Sequence, residues 1–360
     1  RVTLVSELAV SGNNNPERGP LSPAWVVYRL LSERYQVEHL SPVGLSIPDD
    51  TDVLWVMHPR NWPADALRQV KQYVESGRHA VIQVDPNAES VPVMSLSDSD
   101  LGNLYLGSGL EALFGAWGIG FNPDQVVLDS KYAWLMQLDE NQFPKRNPAL
   151  LSLPPQAMNQ NDPATAALDR IVLSSAGALT LEDDSPLKIE PLLQSSDSSR
   201  LISAEAFRKA AEDPESLLNG FVATQEPFVL AARFNGILGK SGKQADFIIV
   251  ADSDFISDRL WVVENNLFGQ PVFNAQASNG DFFFNMIDQL SGSDNLISIR
   301  SRGKVSRPFE KVDQIRRSAE LEYRNRQVEL LAELEKTQSG INALQPDDGT
   351  TGALKDPAYT

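Results

Sequence analysis

The opening 86 residues alternate short apolar runs with amphipathic ones, and this alternation limits the available folds more than any other feature of the chain. Val2 to Ser6 has the composition of a short buried strand. Ser22-Pro23 places an N-capping residue before a proline, and Val26, Val27, Leu30 and Leu31 follow at helical spacing until about Tyr35. Asp52 to Met57 is a second apolar run. Pro63 opens another helical pattern with Leu67, Val70 and Val74 on one face, and Gly77 stops it. Ala80 to Val84 is the next run, closed by Asp85-Pro86. Strand, helix, strand, helix, strand with short links predicts a parallel sheet with right-handed crossovers. The expected class is α/β with a mainly parallel sheet, in which the strands at 2–6, 52–57, 80–84 and 246–251 are neighbours or near neighbours.

The pattern is patchier from 87 to 225. It holds a helix-like piece at Leu110 to Trp117, a Pro-rich stretch at Phe143 to Pro155 and a Ser/Asp-rich run at Gln194 to Arg200. Phe228 to Phe234 and Asp246 to Ala251 then read as strands joined by the turn Gly239-Lys240-Ser241-Gly242. A helix bearing Phe282, Phe283, Met286, Ile287 and Leu290 follows, then a short strand at Leu296 to Ile299. Residues 1–180 are expected to be the first part of the α/β domain, and 181–307 its continuation or a second subdomain. Lys311 to Leu344 lacks proline, and Val312, Ile315, Ala319, Tyr323, Leu330, Leu334, Ile341 and Leu344 recur mostly three or four apart. Asp313/Arg317, Glu320/Arg324 and Glu322/Arg326 pair acid before base, so 308–345 is expected to be one long C-terminal helix or coiled-coil stalk. Residues 346–360 read as a disordered tail.

Charge and composition exclude several function classes. Asp and Glu number 48 against 31 Lys and Arg, a net charge of −17, which repels phosphate backbones and argues against nucleic acid as a partner. With no cysteine there is no disulfide, no thiol nucleophile and no Cys-ligated metal. No apolar run reaches the 18 or so residues that span a bilayer. The chain starts at Arg1 already in a strand pattern, so it is expected to be part of a longer protein.

Few motifs carry chemistry. Gly239-Lys240-Ser241 matches the end of a phosphate-binding loop, but Phe234 occupies the place of the first glycine and a strand follows where a helix is needed. His39, His58 and His79 form no close-spaced metal-binding pair, and Gly107-Ser108-Gly109 lacks the spacing of a nucleophile elbow. No cofactor and no metal is expected. Asp252-Ser253-Asp254 directly follows the apolar run 247–251. Two carboxylates at a strand end can hold Mg²⁺ for a hydrolase or phosphatase, and an Asp there can equally cap a turn. Ligands collect at the carboxyl ends of parallel strands. The residues just past the predicted strands are Glu7, His58, Asp85, Asp252 and Asp254, which would line one acidic crevice if the strands are adjacent.

Several of these segments together resemble the extracytoplasmic region of gliding-motility (GldG-like) ABC-transporter auxiliary proteins. They are Ile47 through Arg60, Val70 through Gly77 leading to Val84-Asp85-Pro86, Ala116 through Ile119, Val250 through Phe255, and Asn295 through Arg300. In order they cover about residues 1–345. The resemblance implies a flavodoxin-like or glutamine-amidotransferase-like fold without that chemistry, since the amidotransferase nucleophile is a cysteine. It also implies ABC permease and ATPase subunits as partners, membrane anchorage, and a periplasmic location outside the inner membrane. The second glycine usual after the helix is replaced by Arg78.

The expected role is a non-catalytic binding or scaffold component of an ABC transport or gliding-motility complex. The alternatives are the Mg²⁺-dependent hydrolase or phosphatase using Asp252 and Asp254, and a sugar- or peptidoglycan-binding domain. Intrinsic propensity does not hold a long helix rigid by itself, so the apolar stripe at 311–344 needs a surface. Its second half, Leu330, Leu334, Ile341 and Leu344, suits another helix, including one from a second copy. Deletion of 325–360 is therefore expected to leave the melting temperature of the body nearly unchanged and to alter self-association in sedimentation experiments.

Overall fold

A computed structural model describes residues 1–14, 21–91, 106–136, 145–267 and 270–292. The expected strand at 296–299, the long C-terminal helix and the tail lie outside the described residues. The described residues belong to one compact unit.

The first strands are β1 (Val2–Val5), β2 (Val37–Leu40), β3 (Val53–Met57) and β4 (His79–Gln83), with helices α1 (Val26–Ser32) and α2 (Ala64–Glu75) between them. Every residue of β3 is buried, the signature of a strand covered on both faces. Val53, Trp55 and Met57 join one apolar layer while Leu54 and Val56 join the other, as the period of two requires.

Beyond β4 the chain builds helix α3 (Glu111–Gly115) and β5 (Ile119–Phe121). The strands β6 (Gln125–Asp129), β7 (Ala133–Met136), β8 (Lys145–Leu153) and β9 (Ile171–Ser174) follow. Next come β10 (Leu179–Leu181), β11 (Leu187–Gln194) and β12 (Ser199–Ser203). Helix α4 (Ala204–Lys209) leads to β13 (Val229–Ile237) and β14 (Gln244–Val250). Helix α5 (Asp258–Trp261), the hairpin β15 (Val262–Leu267) and β16 (Gln270–Ala275), and helix α6 (Asn279–Leu290) close the described chain.

The central sheet runs β2-β1-β3-β4-β14-β13-β10-β5, with β11 also on β13. The first five strands are parallel and in register, so the four strands expected to be neighbours stand side by side as β1, β3, β4 and β14. From β13 onward the pairing is antiparallel, so the large sheet is mixed. The turn at Gly239-Lys240-Ser241-Gly242 joins β13 to β14 as a hairpin, with Gly239 at φ +64° and Gly242 at +69°, as the strand pattern on either side requires. The smaller antiparallel sheets β12-β6 and β7-β8-β9 were not foreseen; they occupy the region where the sequence pattern is patchy.

Two apolar layers sandwich the sheet. On one side α1 (Val26, Val27, Leu31) and α6 (Phe282, Phe283, Met286, Ile287, Leu290) cover Trp55, Val81 and Ile248. On the other α2 (Ala66, Val70, Tyr73, Val74) and α3 (Leu113, Phe114) cover Leu54, Ile82 and Phe247. Trp55 packs 4.6 Å from Phe283 by ring centroid, and its indole N–H donates to the buried Gln83 Oε1 at 2.8 Å. Arg78, in place of a glycine, lays its guanidinium 4.4 Å over the Tyr73 ring and donates to the Asp49 and Thr51 carbonyls. The helical start expected at Ser22 is corrected: Ser22 forms a bridge with Asn13, and α1 begins at Val26. The Val26 amide is received by Asp258 Oδ1 at 2.8 Å, a cap brought in by the tertiary fold.

Asn279 opens α6 fully buried. Its side chain accepts from the Val172 amide at 3.0 Å and donates to the Val172 and Phe255 carbonyls, extending the edge of β9. Asn279→Ala leaves these groups dry and unpaired, so we expect a loss of about 2–3 kcal/mol in urea unfolding.

Candidate functional site

Parallel register brings β4 and β14 to an end side by side, and the loop after each carries aspartates: Asp85 after β4, Asp252 and Asp254 after β14. All three are fully buried, and one carboxylate oxygen of each lies within 4.8 Å of the others. Each of their six oxygens accepts a backbone amide. Asp85 receives Asn87 N at 2.7 Å and Ser253 N at 2.7 Å, with Ser253 Oγ at 2.8 Å. Asp252 receives Asp254 N at 2.7 Å and Ser174 N at 2.7 Å. Asp254 receives Glu89 N at 2.6 Å and Ser90 N at 3.0 Å. The cluster therefore ties three loops together, with a backbone amide on every carboxylate oxygen.

Around it, Glu89 accepts from Ser174 Oγ at 2.8 Å and pairs with Arg259 at 2.8 Å. The Arg259 guanidinium lies 3.6 Å from Asp254. Four carboxyl groups thus share one nearby cation. Burial, then mutual repulsion, holds Asp85 and Asp252 well above the usual carboxylate range. Asp254 is raised by burial and by Glu89, against the pull of Arg259. The cluster titrates as a unit and retains protons where isolated aspartates have lost them.

Ser108 connects the cluster to the neighbouring strand. Its hydroxyl accepts from Asp85 N at 3.0 Å and lies 3.0 Å from His58 Nδ1, while its amide donates to the Asp85 carbonyl at 2.8 Å. His58, just after β3, is buried, and burial followed by the charge of Arg60 lowers its pKa to about 4, so the ring is neutral. A serine hydroxyl beside an imidazole is the contact of a nucleophile and its base. Here the serine is fully buried and its oxygen already serves the Asp85 amide. Glu7 stands apart: it is exposed, beside Arg60, with its carboxyl raised by desolvation against the guanidinium. Of the five residues expected in one crevice, the structure gathers Asp85, Asp252 and Asp254, links His58 through Ser108, and leaves Glu7 at the surface. Ser174, Glu89 and Arg259 escaped the sequence reading, which met Ser108 only as a serine without the spacing of a nucleophile elbow.

The pKa directions set a pH profile. Carboxyls raised in the fold contribute stability fully present below the unfolded value of about 3.8, and that stability is lost as pH rises through the folded values. His58 works in the opposite sense: lowered from 6.5 to about 4, it favours the fold above 6.5 and loses about 3 kcal/mol as pH falls through that window. In melting curves from pH 4 to 9, Asp252→Asn is expected to flatten the decline that the raised carboxyls cause as pH rises, and His58→Gln the decline between pH 6.5 and 4.

Comparisons with known proteins complete the picture. No curated protein matches the chain. Among solved structures, the N-terminal domain of mmIFT52 is similar at 12% identity and TM-score 0.46, over 82% of this chain and 99% of that one. A β-galactosidase from Bacillus circulans sp. alkalophilus is similar at 12% identity and TM-score 0.35, over 82% of this chain and 31% of that one. Likenesses so remote carry no argument about function. Residues 2–286 match the family described as an ABC-type uncharacterized transport system, and the chain belongs to this ABC-transporter auxiliary family.

Proposed function

We propose that this auxiliary protein is a non-catalytic scaffold of the gliding-motility type, anchored on the extracytoplasmic side of the inner membrane beside the permease and ATPase subunits of its transport system. The observation that carries the reading is the state of the aspartate cluster. The strand-end carboxylates, where an α/β enzyme would place its chemistry, have every oxygen engaged by an amide of their own chain and none exposed. A carboxylate so held, with a backbone amide on each buried oxygen, orients the loops that supply those amides. The segments that resemble gliding-motility proteins, and the match to the ABC-transporter auxiliary family, support the location and partners.

A second reading has a specific observation in its favour. Three carboxylates within 4.8 Å have the composition of a Mg²⁺ site, the basis of a hydrolase using Asp252 and Asp254. The two readings separate in one experiment. With generic phosphate- and carboxylate-ester substrates, with and without Mg²⁺, the scaffold predicts no turnover and a lowered melting temperature for Asp252→Ala. Mg²⁺-dependent turnover that vanishes in Asp252→Asn would establish the hydrolase. Co-purification of the full-length protein with its permease and ATPase, lost without a loss of transcript when the body is deleted, is the positive expectation of the scaffold.

A further inference from the structure

The five residues that follow β3 hold a second feature, distinct from the aspartates. His58 and Trp62 are each more than nine-tenths buried, and three side-chain nitrogens in this short loop are enclosed: His58 Nε2, Arg60 Nε and Trp62 Nε1. None of the three has a hydrogen-bond partner among the described residues. A buried donor without an acceptor loses its water and gains nothing in return, so native structures rarely tolerate one, and three in five residues call for an explanation.

Bond counting favours one tautomer of the imidazole. Ser108 Oγ accepts from the Asp85 amide, so its own hydrogen is free to go to His58 Nδ1, the acceptor 3.0 Å away. That arrangement places the proton of the neutral ring on Nε2, the nitrogen without a partner, and engages Ser108 Oγ with both the Asp85 amide and His58 Nδ1. The loop then presents three N–H donors and one fixed positive charge. Arg60 acts electrostatically on both His58 and Glu7, so its guanidinium lies near each of them. The missing partner is a group with several lone pairs and negative charge. The loop sits at the carboxyl end of a central parallel strand, where α/β sheets receive ligands.

We propose that loop 58–62 is an oxyanion-binding site that takes one carboxylate or phosphate group through His58, Arg60 and Trp62. The Gly109 amide donates to the Pro59 carbonyl at 2.7 Å and ties the loop to the segment that carries Ser108. An occupant that accepts from these donors stabilises the loop by pairing them. His58 at φ +47° and Asn61 at +52° bracket the loop in left-handed backbone that needs support from its surroundings. The inference goes beyond the scaffold reading and stands whether or not the chain binds a permease.

The test uses the whole chain, with sodium phosphate and sodium glutamate as probes at constant ionic strength and glycerol as the neutral control. Tryptophan fluorescence and melting temperature are read together. A saturable response at millimolar concentration to either oxyanion is expected, and which one responds tells a phosphate site from a carboxylate site. Arg60→Gln should weaken it at least tenfold with an unchanged circular dichroism spectrum, and Trp62→Phe should remove the fluorescence change. Arg60→Lys, which keeps the charge without the planar donors, should fall between and serves if Arg60→Gln fails to fold. No saturable response to either oxyanion, an equal response in the Arg60 variants, or an equal response to glycerol overturns the proposal.

Discussion

Where β4 and β14 end together in the middle of the sheet, the chain must leave in loops whose amides lie in a dry interior. Backbone donors there need acceptors, and the nearest strands have none left to give. Asp85, Asp252 and Asp254 supply them. Asp85 on the β4 loop holds the loop after β14, 168 residues away, and Asp252 on that loop holds the end of β9. Asp254 reaches back to the amides of Glu89 and Ser90. The parallel sheet, the β7-β8-β9 sheet and the connection after β4 thereby meet at one point. Three buried carboxylates beside a single guanidinium cannot all remain charged without a large penalty, so the brace depends on protons as well as on amides.

The same point governs what the molecule presents. Ser108 transmits the position of Asp85 to His58, so the loop after β3 is set by the aspartates without touching them. The sheet end is divided between two kinds of polar chemistry. One half is acidic and closed on itself; the other is rich in donors that lack partners among the described residues.

The parallel half of the fold was legible because its signals are local. Val53 to Met57 is apolar without interruption, as a strand buried on both faces must be, and α2 repeats its apolar residues at helical spacing up to Gly77. The start of α1 was misplaced because its acceptor is Asp258, 232 residues away, which no local pattern can show. The small antiparallel sheets were missed for a similar reason. Strands such as β6 and β12 are short, half polar and separated by some 70 residues, so only their pairing reveals them. Of the site, the aspartates stood out as charges directly after apolar runs. Their partners Ser108 and Ser174 did not, since a serine acquires its role only when tertiary structure brings an amide or an imidazole to it.

The account turns on carboxylates that hold protons and bind backbone, and carbon-13 NMR titration of the aspartate side-chain carboxyls observes both directly. It predicts that the resonances of Asp85, Asp252 and Asp254 titrate above the ordinary aspartate range, in coupled steps, and do not move when Mg²⁺ is added. Three carboxyls that titrate near the ordinary value, or that shift together on addition of Mg²⁺, would contradict it.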